Sequence, residues 1–169
     1  MSNVLIGIIG VILFIGLALA GALILGDEFR AASNDSKAAS VVSQLHQISN
    51  AVDMFEMKTG LQFQAGTSLS SLMPRFLKSM PQDPTGTSSF AAWSGEGLGA
   101  GAPVGMVVLP MSRNADAICT GIVQQTSGGT AYVTVSSVGQ LPTQPVGCFR
   151  AGANINSFVA QTYYAYVRT

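Results

Sequence analysis

Within three residues of its start this 169-residue chain enters a stretch with no charged side chain, Val4 to Gly26 (VLIGIIGVILFIGLALAGALILG). As a helix those residues would measure roughly 35 Å, enough to cross a hydrocarbon layer about 30 Å thick. Whatever else the chain does, it must cover this surface with lipid or with other apolar surface.

Two ordinary readings of such a segment fit poorly. A secretory signal peptide has a basic leading region and a short apolar centre ending at a small-residue cleavage site. Here no Lys or Arg precedes the run, and the run is longer than such a centre. A simple single-span anchor is usually oriented by basic residues on its cytoplasmic flank. Asp27, Glu28 and Arg30 follow the run and form no basic cluster. The expectation is a basic leader removed before Met1, with a start codon at Met1 as the alternative.

The remainder has the composition of an exported domain. About 140 residues outside the run are enough for one domain with a modest core. Eight Lys plus Arg balance eight Asp plus Glu, and no basic patch points to nucleic acid. There are two cysteines, Cys119 and Cys148. In an exported domain such a pair is most simply one disulfide, which would stabilise the fold by roughly 3–4 kcal/mol in the chain-entropy model. Two unpaired buried thiols in a cytosolic protein are the alternative. A metal site is the poorer reading, because His46 is the sole histidine and no ligand set surrounds it.

Past Gly26 the helical pattern resumes in amphipathic form. Ala38, Val41, Leu45, Ile48, Val52 and Phe55 recur in steps of three and four, a narrow helical stripe. Neither Pro nor Gly interrupts the chain between Gly26 and Gly60. Lys58 and Gly60 give a cation in the last turn and a stop. The expectation is one helix over residues 3–58, about 80 Å long. A break near Ser33–Ser36 competes, since Asn, Asp and Ser favour local side-chain bonds.

Residues 59–169 then form the head. A short helix signal (Leu69, Leu72, Phe76, Leu77) precedes the turn run MPQDPTG and the flexible loop SGEGLGAGAP. Strands are expected at Val104–Leu109, Tyr132–Val135 and Phe158–Val167. Asn114 is a candidate N-cap for a short helix carrying Ala117, Ile118, Ile122 and Val123. The fold class is therefore α+β: a long N-terminal helix, apolar then amphipathic, on an antiparallel sheet, with the disulfide tying the short helix to a late loop. Val41, Leu45, Ile48, Val52 and Phe55 are the residues expected to pack helix against head.

This layout resembles the type IV pilins. Met1 as first residue, the segment RNADAICTGIV and a second cysteine at Cys148 look most like the type IVb branch, and QLHQISNAVDMFEMKTGLQ resembles the end of the pilin helix, where it leaves for the loop that follows. The resemblance implies a structural subunit of thin surface filaments, anchored in the inner membrane before assembly and handled by a pilus assembly machinery. It also implies peptidase removal of a leader and methylation of the new amine, at Met1. The filament core would then be packed by Val4, Leu5, Ile8, Ile9, Ile12, Phe14, Leu17, Leu19 and Leu23. One departure stands out: pilins usually carry glutamate at the fifth mature position, thought to pair with a neighbour's N-terminal amine, and this chain has Leu5. A buried carboxylate is costly unless paired, so assembly here would rely on packing alone, or the chain is a minor or tip-type subunit, or Met1 is not the processed terminus.

Gly7, Gly10, Gly16, Gly21 and Gly26 have three readings: close helix–helix approach, local melting, or no special role. Catalysis finds little support. His46 sits beside the stripe without an evident partner, and Asp53 with Glu56 reads as a solvated face. The cluster from Gly95 to Gly101 lacks the Lys-Ser/Thr of a phosphate loop, and Asp83 alone offers too few ligands for calcium. No enzyme activity, metal or cofactor is expected. Tyr132, Tyr163, Tyr164, Tyr166 and Trp93 are candidates for exposed contact, although aromatic residues in strands are more often core. The alternative function is a single-span envelope domain or pseudopilin, scaffolding a secretion system.

Overall fold

The computed structural model describes residues 2–86, 88–93 and 105–169. Helix α1 runs from Ser2 to Thr59. Gly60 ends it in the left-handed region (φ 67°), its N–H bonding the Glu56 carbonyl at 2.9 Å, and Lys58 supplies the cation of the last turn. By its internal contacts the chain divides into two compact units, Met1–Ser33 and Asn34–Thr169. The first contains the apolar part of α1, and the second contains the head together with the amphipathic part.

The polar stretch Ser33–Ser36 remains helical. One of its side chains and one of its carbonyls find partners on helix α2, Ala115–Ser127, and on the residue that precedes it. Asn114 Nδ2 donates to Asn34 Oδ1 at 3.3 Å, and Gln125 Nε2 donates to the Asp35 carbonyl at 3.3 Å. The Asn34 bond occupies a short polar side chain that would otherwise compete with the helix for backbone partners. Asn114 does hold the N-cap position, but in the left-handed region (φ 50°) and with no side-chain capping bond.

Five strands form one sheet: β1 (Ala91–Trp93), β2 (Met106–Met111), β3 (Val133–Val135), β4 (Val146–Ala151) and β5 (Tyr163–Arg168), in the order β1-β2-β5-β4-β3. Three of the four pairings are antiparallel and the β3–β4 pairing is parallel. Between β3 and β4 the chain makes a short 3-10 turn, Val138–Gln140, and passes Pro142 and Pro145, so it returns before pairing. The expected helix around Leu69 is likewise a single 3-10 turn, Leu69–Leu72. Two further expectations need correction. The last strand begins at Tyr163 and not at Phe158, because Asn156 (φ 50°) and Gln161 (φ 65°) sit in the left-handed region that breaks a strand. Cys148 lies in β4 and not in a loop. Val104 and the glycine cluster lie outside the described residues.

The sheet is buried on both faces. On one face α1 and α2 cover a core that includes Val41, Leu45, Ile48, Val52, Ile118, Ile122, Val107, Leu109, Ala165 and Val167. On the other face Trp93, Met106, Val108, Phe149, Tyr164 and Tyr166 meet Leu141, Ile155 and Phe158 from the intervening loops. Phe158 packs edge-on against both Phe149 (5.3 Å between ring centroids) and Tyr164 (4.8 Å). Such aromatic pairs add about 0.5–1.5 kcal/mol beyond the area they bury. Among the described residues no α-helix covers this second face, and loop residues supply the lid.

Candidate functional site

In the first unit, large apolar side chains are exposed. Val4, Leu5, Ile8, Ile9, Ile12, Phe14, Leu17 and Leu19 are all at least half exposed, and Phe14 and Leu17 reach 74%. Ile6, Val11, Leu13 and Ile15 are equally bare, which leaves no polar face on this part of the helix. Exposing twelve such residues to water costs roughly 10–20 kcal/mol, as much as the whole stability of an ordinary domain. An added Cβ at Gly7, Gly10, Gly16, Gly21 or Gly26 would meet nothing within 4 Å. Among the described residues nothing therefore demands glycine at these places. Met1 and the Leu23 side chain lie outside the described residues.

In the second unit, Val41, Leu45, Ile48 and Val52 are fully buried against the head and Phe55 is half-buried. Phe55 meets Phe63 and Phe76 edge-on, at 5.5 and 5.6 Å between centroids, which closes the core at the C-terminal end of α1. Near Asn34, α2 crosses α1 with Gly121 at the contact, where a Cβ would lie 3.2 Å from both the Ala38 Cβ and Asp35 Oδ1. Cys119 and Cys148 form a disulfide, tying α2 to β4, and both are buried.

The aromatic candidates separate into two groups. Trp93, Tyr164 and Tyr166 are buried in the loop-covered core. Burial pushes the Tyr166 phenol up to about 12, against a smaller opposing pull from Arg168. Tyr132 and Tyr163 come together at the surface by α2, 5.1 Å apart and edge-on. Both hydroxyls donate to the same oxygen, Asp116 Oδ1, at 2.6 and 3.1 Å. That bond, more than any other influence, holds the Tyr132 proton on well above the ordinary phenol range. The Arg150 guanidinium lies 5.8 Å over the Tyr163 ring, and its Nε is buried with no hydrogen-bond acceptor among the described residues. Sequence reasoning singled out the two tyrosines but missed Asp116 and Arg150. The four residues are scattered from 116 to 163, and no local motif links them.

The remaining polar candidates stay apart. His46 is exposed on α1, beside a groove of about 600 Å³ lined by Val42, Gln125, Thr126 and Gln144. Asp53 is exposed, while Glu56 accepts the Phe63 N–H at 2.9 Å and so anchors the chain where it leaves the helix. Asp83 closes its own turn: Oδ1 accepts from the Thr85 N–H (2.7 Å) and hydroxyl (2.6 Å), and Oδ2 from the Ser88 N–H (3.1 Å). Among the described residues, no three His, Cys, Asp or Glu side chains gather in a way that would hold a metal ion.

No family model matches this chain, and neither does any curated protein or solved structure.

Proposed function

We propose that this chain is the structural subunit of a type IV pilus-like surface filament. The observation that carries the reading is the bare apolar stretch of α1, uncharged on every face and joined to a disulfide-stapled head. In lipid that surface is covered. Once drawn out of lipid it has one inexpensive covering available to it, the same surface on other copies. The vacant space around Gly7, Gly10, Gly16 and Gly21 supports close approach of such helices. The interaction is heterologous and does not close on itself, so bundling yields a polymer and not a fixed oligomer. Inner-membrane residence before assembly, leader cleavage, terminal methylation and an assembly machinery belong to the same proposal, on the resemblance described above. The polymer would serve adhesion, motility, conjugation or uptake through its outward heads, without enzymatic activity.

A second reading rests on the same helix, which is long and apolar enough to cross a membrane. On that reading the chain remains a one-span envelope domain, or a pseudopilin that scaffolds a secretion system. Mechanical shearing of cells separates the two. A filament subunit appears in the sheared fraction as high-molecular-weight fibres visible by electron microscopy. An anchored domain stays with the membranes and needs detergent for release, and that result would overturn the first reading.

A further inference from the structure

Both cysteines of the chain are locked in a buried disulfide, so no thiol is free to react. That leaves the methionine thioethers as its softest and most readily oxidised side chains. Their surroundings differ widely. Met57 is 77% exposed and Met54 41% exposed, both close to the C-terminal end of α1. They stand three residues apart, which puts them on one helix face. Leu61, just past the helix, is bare as well. Neither packing nor helix propensity accounts for sulfur at positions this exposed, since leucine is as good a helix former. Met73 and Met80 are half-buried and pack against the core. Met106 and Met111 belong to the core itself, with 0% and 4% exposure.

We propose that Met57, followed by Met54, is the site at which hydrogen peroxide oxidises this protein, and that the fold absorbs the change. The Met57 Sγ lone pair attacks one peroxide oxygen and the O–O bond breaks. The proton on the attacked oxygen passes to the departing hydroxide, so the products are a sulfoxide and water. Sulfur gives up an electron pair and the peroxide takes it, so no further co-reactant is needed. At Met57 and Met54 an apolar thioether becomes a polar S=O group facing water, which costs the interior nothing. The same oxygen on Met106 or Met111 would have to be seated in a close-packed, apolar interior. Oxidation at the end of α1 therefore alters what the protein presents and spares what holds it together. The inference stands on exposure within the second unit and does not depend on filament assembly.

The test uses the full chain, folded in a zwitterionic detergent, treated with excess hydrogen peroxide and sampled over time. Trypsin releases peptide 38–58 with Met54 and Met57, peptide 59–75 with Met73, and peptide 79–113 with Met80, Met106 and Met111. Fragmentation mass spectrometry then gives each methionine its own rate of oxygen gain. With rate in proportion to exposure, Met57 should react about twice as fast as Met54 and at least about tenfold faster than Met106 or Met111. In concentrated urea, where burial is lost, the rates should converge. The urea midpoint of chain carrying oxygen on Met57 and Met54 alone should equal that of untreated chain. Three results would overturn the assignment: another of these methionines reacting as fast as Met57 in the folded chain, the same rate order persisting in urea, or a lowered midpoint when only Met57 and Met54 are oxidised.

Discussion

Opening the Cys119–Cys148 disulfide measures how far the head depends on its covalent tie. The two cysteines are 29 residues apart, and the bond joins α2 to β4 across the interior. In the chain-entropy model a closed loop of that length removes about 3.6 kcal/mol of freedom from the unfolded chain. Head stability of the usual size, about 5–15 kcal/mol, would thus fall by about a quarter to nearly three quarters. With a urea slope of about 2 kcal/mol per molar, the midpoint should drop by just under 2 M. Two perturbations separate the contributions. Reducing the native chain removes the tie and leaves both sulfurs in place. The double variant Cys119→Ala, Cys148→Ala also empties space in a core where both residues are buried, and it should cost a further 1–2 kcal/mol or so. Urea unfolding of the full chain in micelles, followed by near-ultraviolet circular dichroism, gives both numbers. A reduced chain losing less than about 1 kcal/mol would refute the reasoning. It would mean that the unfolded chain is already held compact by other means.

Three other predictions concern separate parts of the chain. Gly121→Val should destabilise the head by about 2 kcal/mol in a urea titration, because even a bare Cβ at this position sits 3.2 Å from Ala38 and Asp35. The Tyr166 phenol titrates near 12 in the folded head and near 10 when unfolded. The unfolded state therefore loses its proton first: stability is intact below pH 10 and declines as pH rises towards 12, and Tyr166→Phe should flatten that part of the urea-midpoint profile. Ile12→Asp puts a charge in the middle of the bare stretch at a cost of about 2.5–3.5 kcal/mol in an apolar setting. It should remove the protein from sheared fibres while leaving the isolated head's disulfide intact on non-reducing gels.

Local pattern made the long helix readable. The three-and-four spacing from Ala38 to Phe55 corresponds to the buried face of α1, with Val41, Leu45, Ile48 and Val52 excluded from solvent. Its continuity through Ser33–Ser36 was not readable with the same certainty, because the partners of Asn34 and Asp35 arrive 80 and 90 residues later. Strand β1 has three residues and gives no periodic signal. Strand β4 hides for a different reason. Five of its six residues are buried, since helices cover one face and loops the other, and so the polar alternation that marks a half-buried strand is missing. The parallel pairing of β3 with β4 contradicts the hairpin that a short connection leads one to expect. The bend around Pro142 and Pro145 makes that pairing possible. The Asp116–Tyr132–Arg150–Tyr163 cluster is a product of tertiary folding alone. Its members occupy four segments, and only the burial of their neighbours selects two of the four tyrosines for the surface.

The loops laid over the second face of the sheet have a practical consequence for anyone who wishes to label this protein. Ile155 and Phe158 are tucked inward, and Val159 is tethered through its N–H to the Tyr164 hydroxyl. A tag inserted anywhere along residues 152–162 would pry open an aromatic interior, however superficial the segment looks in sequence. The safer handle is a single exposed position such as Ser157, and not Asn156, whose φ of 50° disfavours a cysteine. A dye attached there through an introduced thiol should report on the head without loosening it.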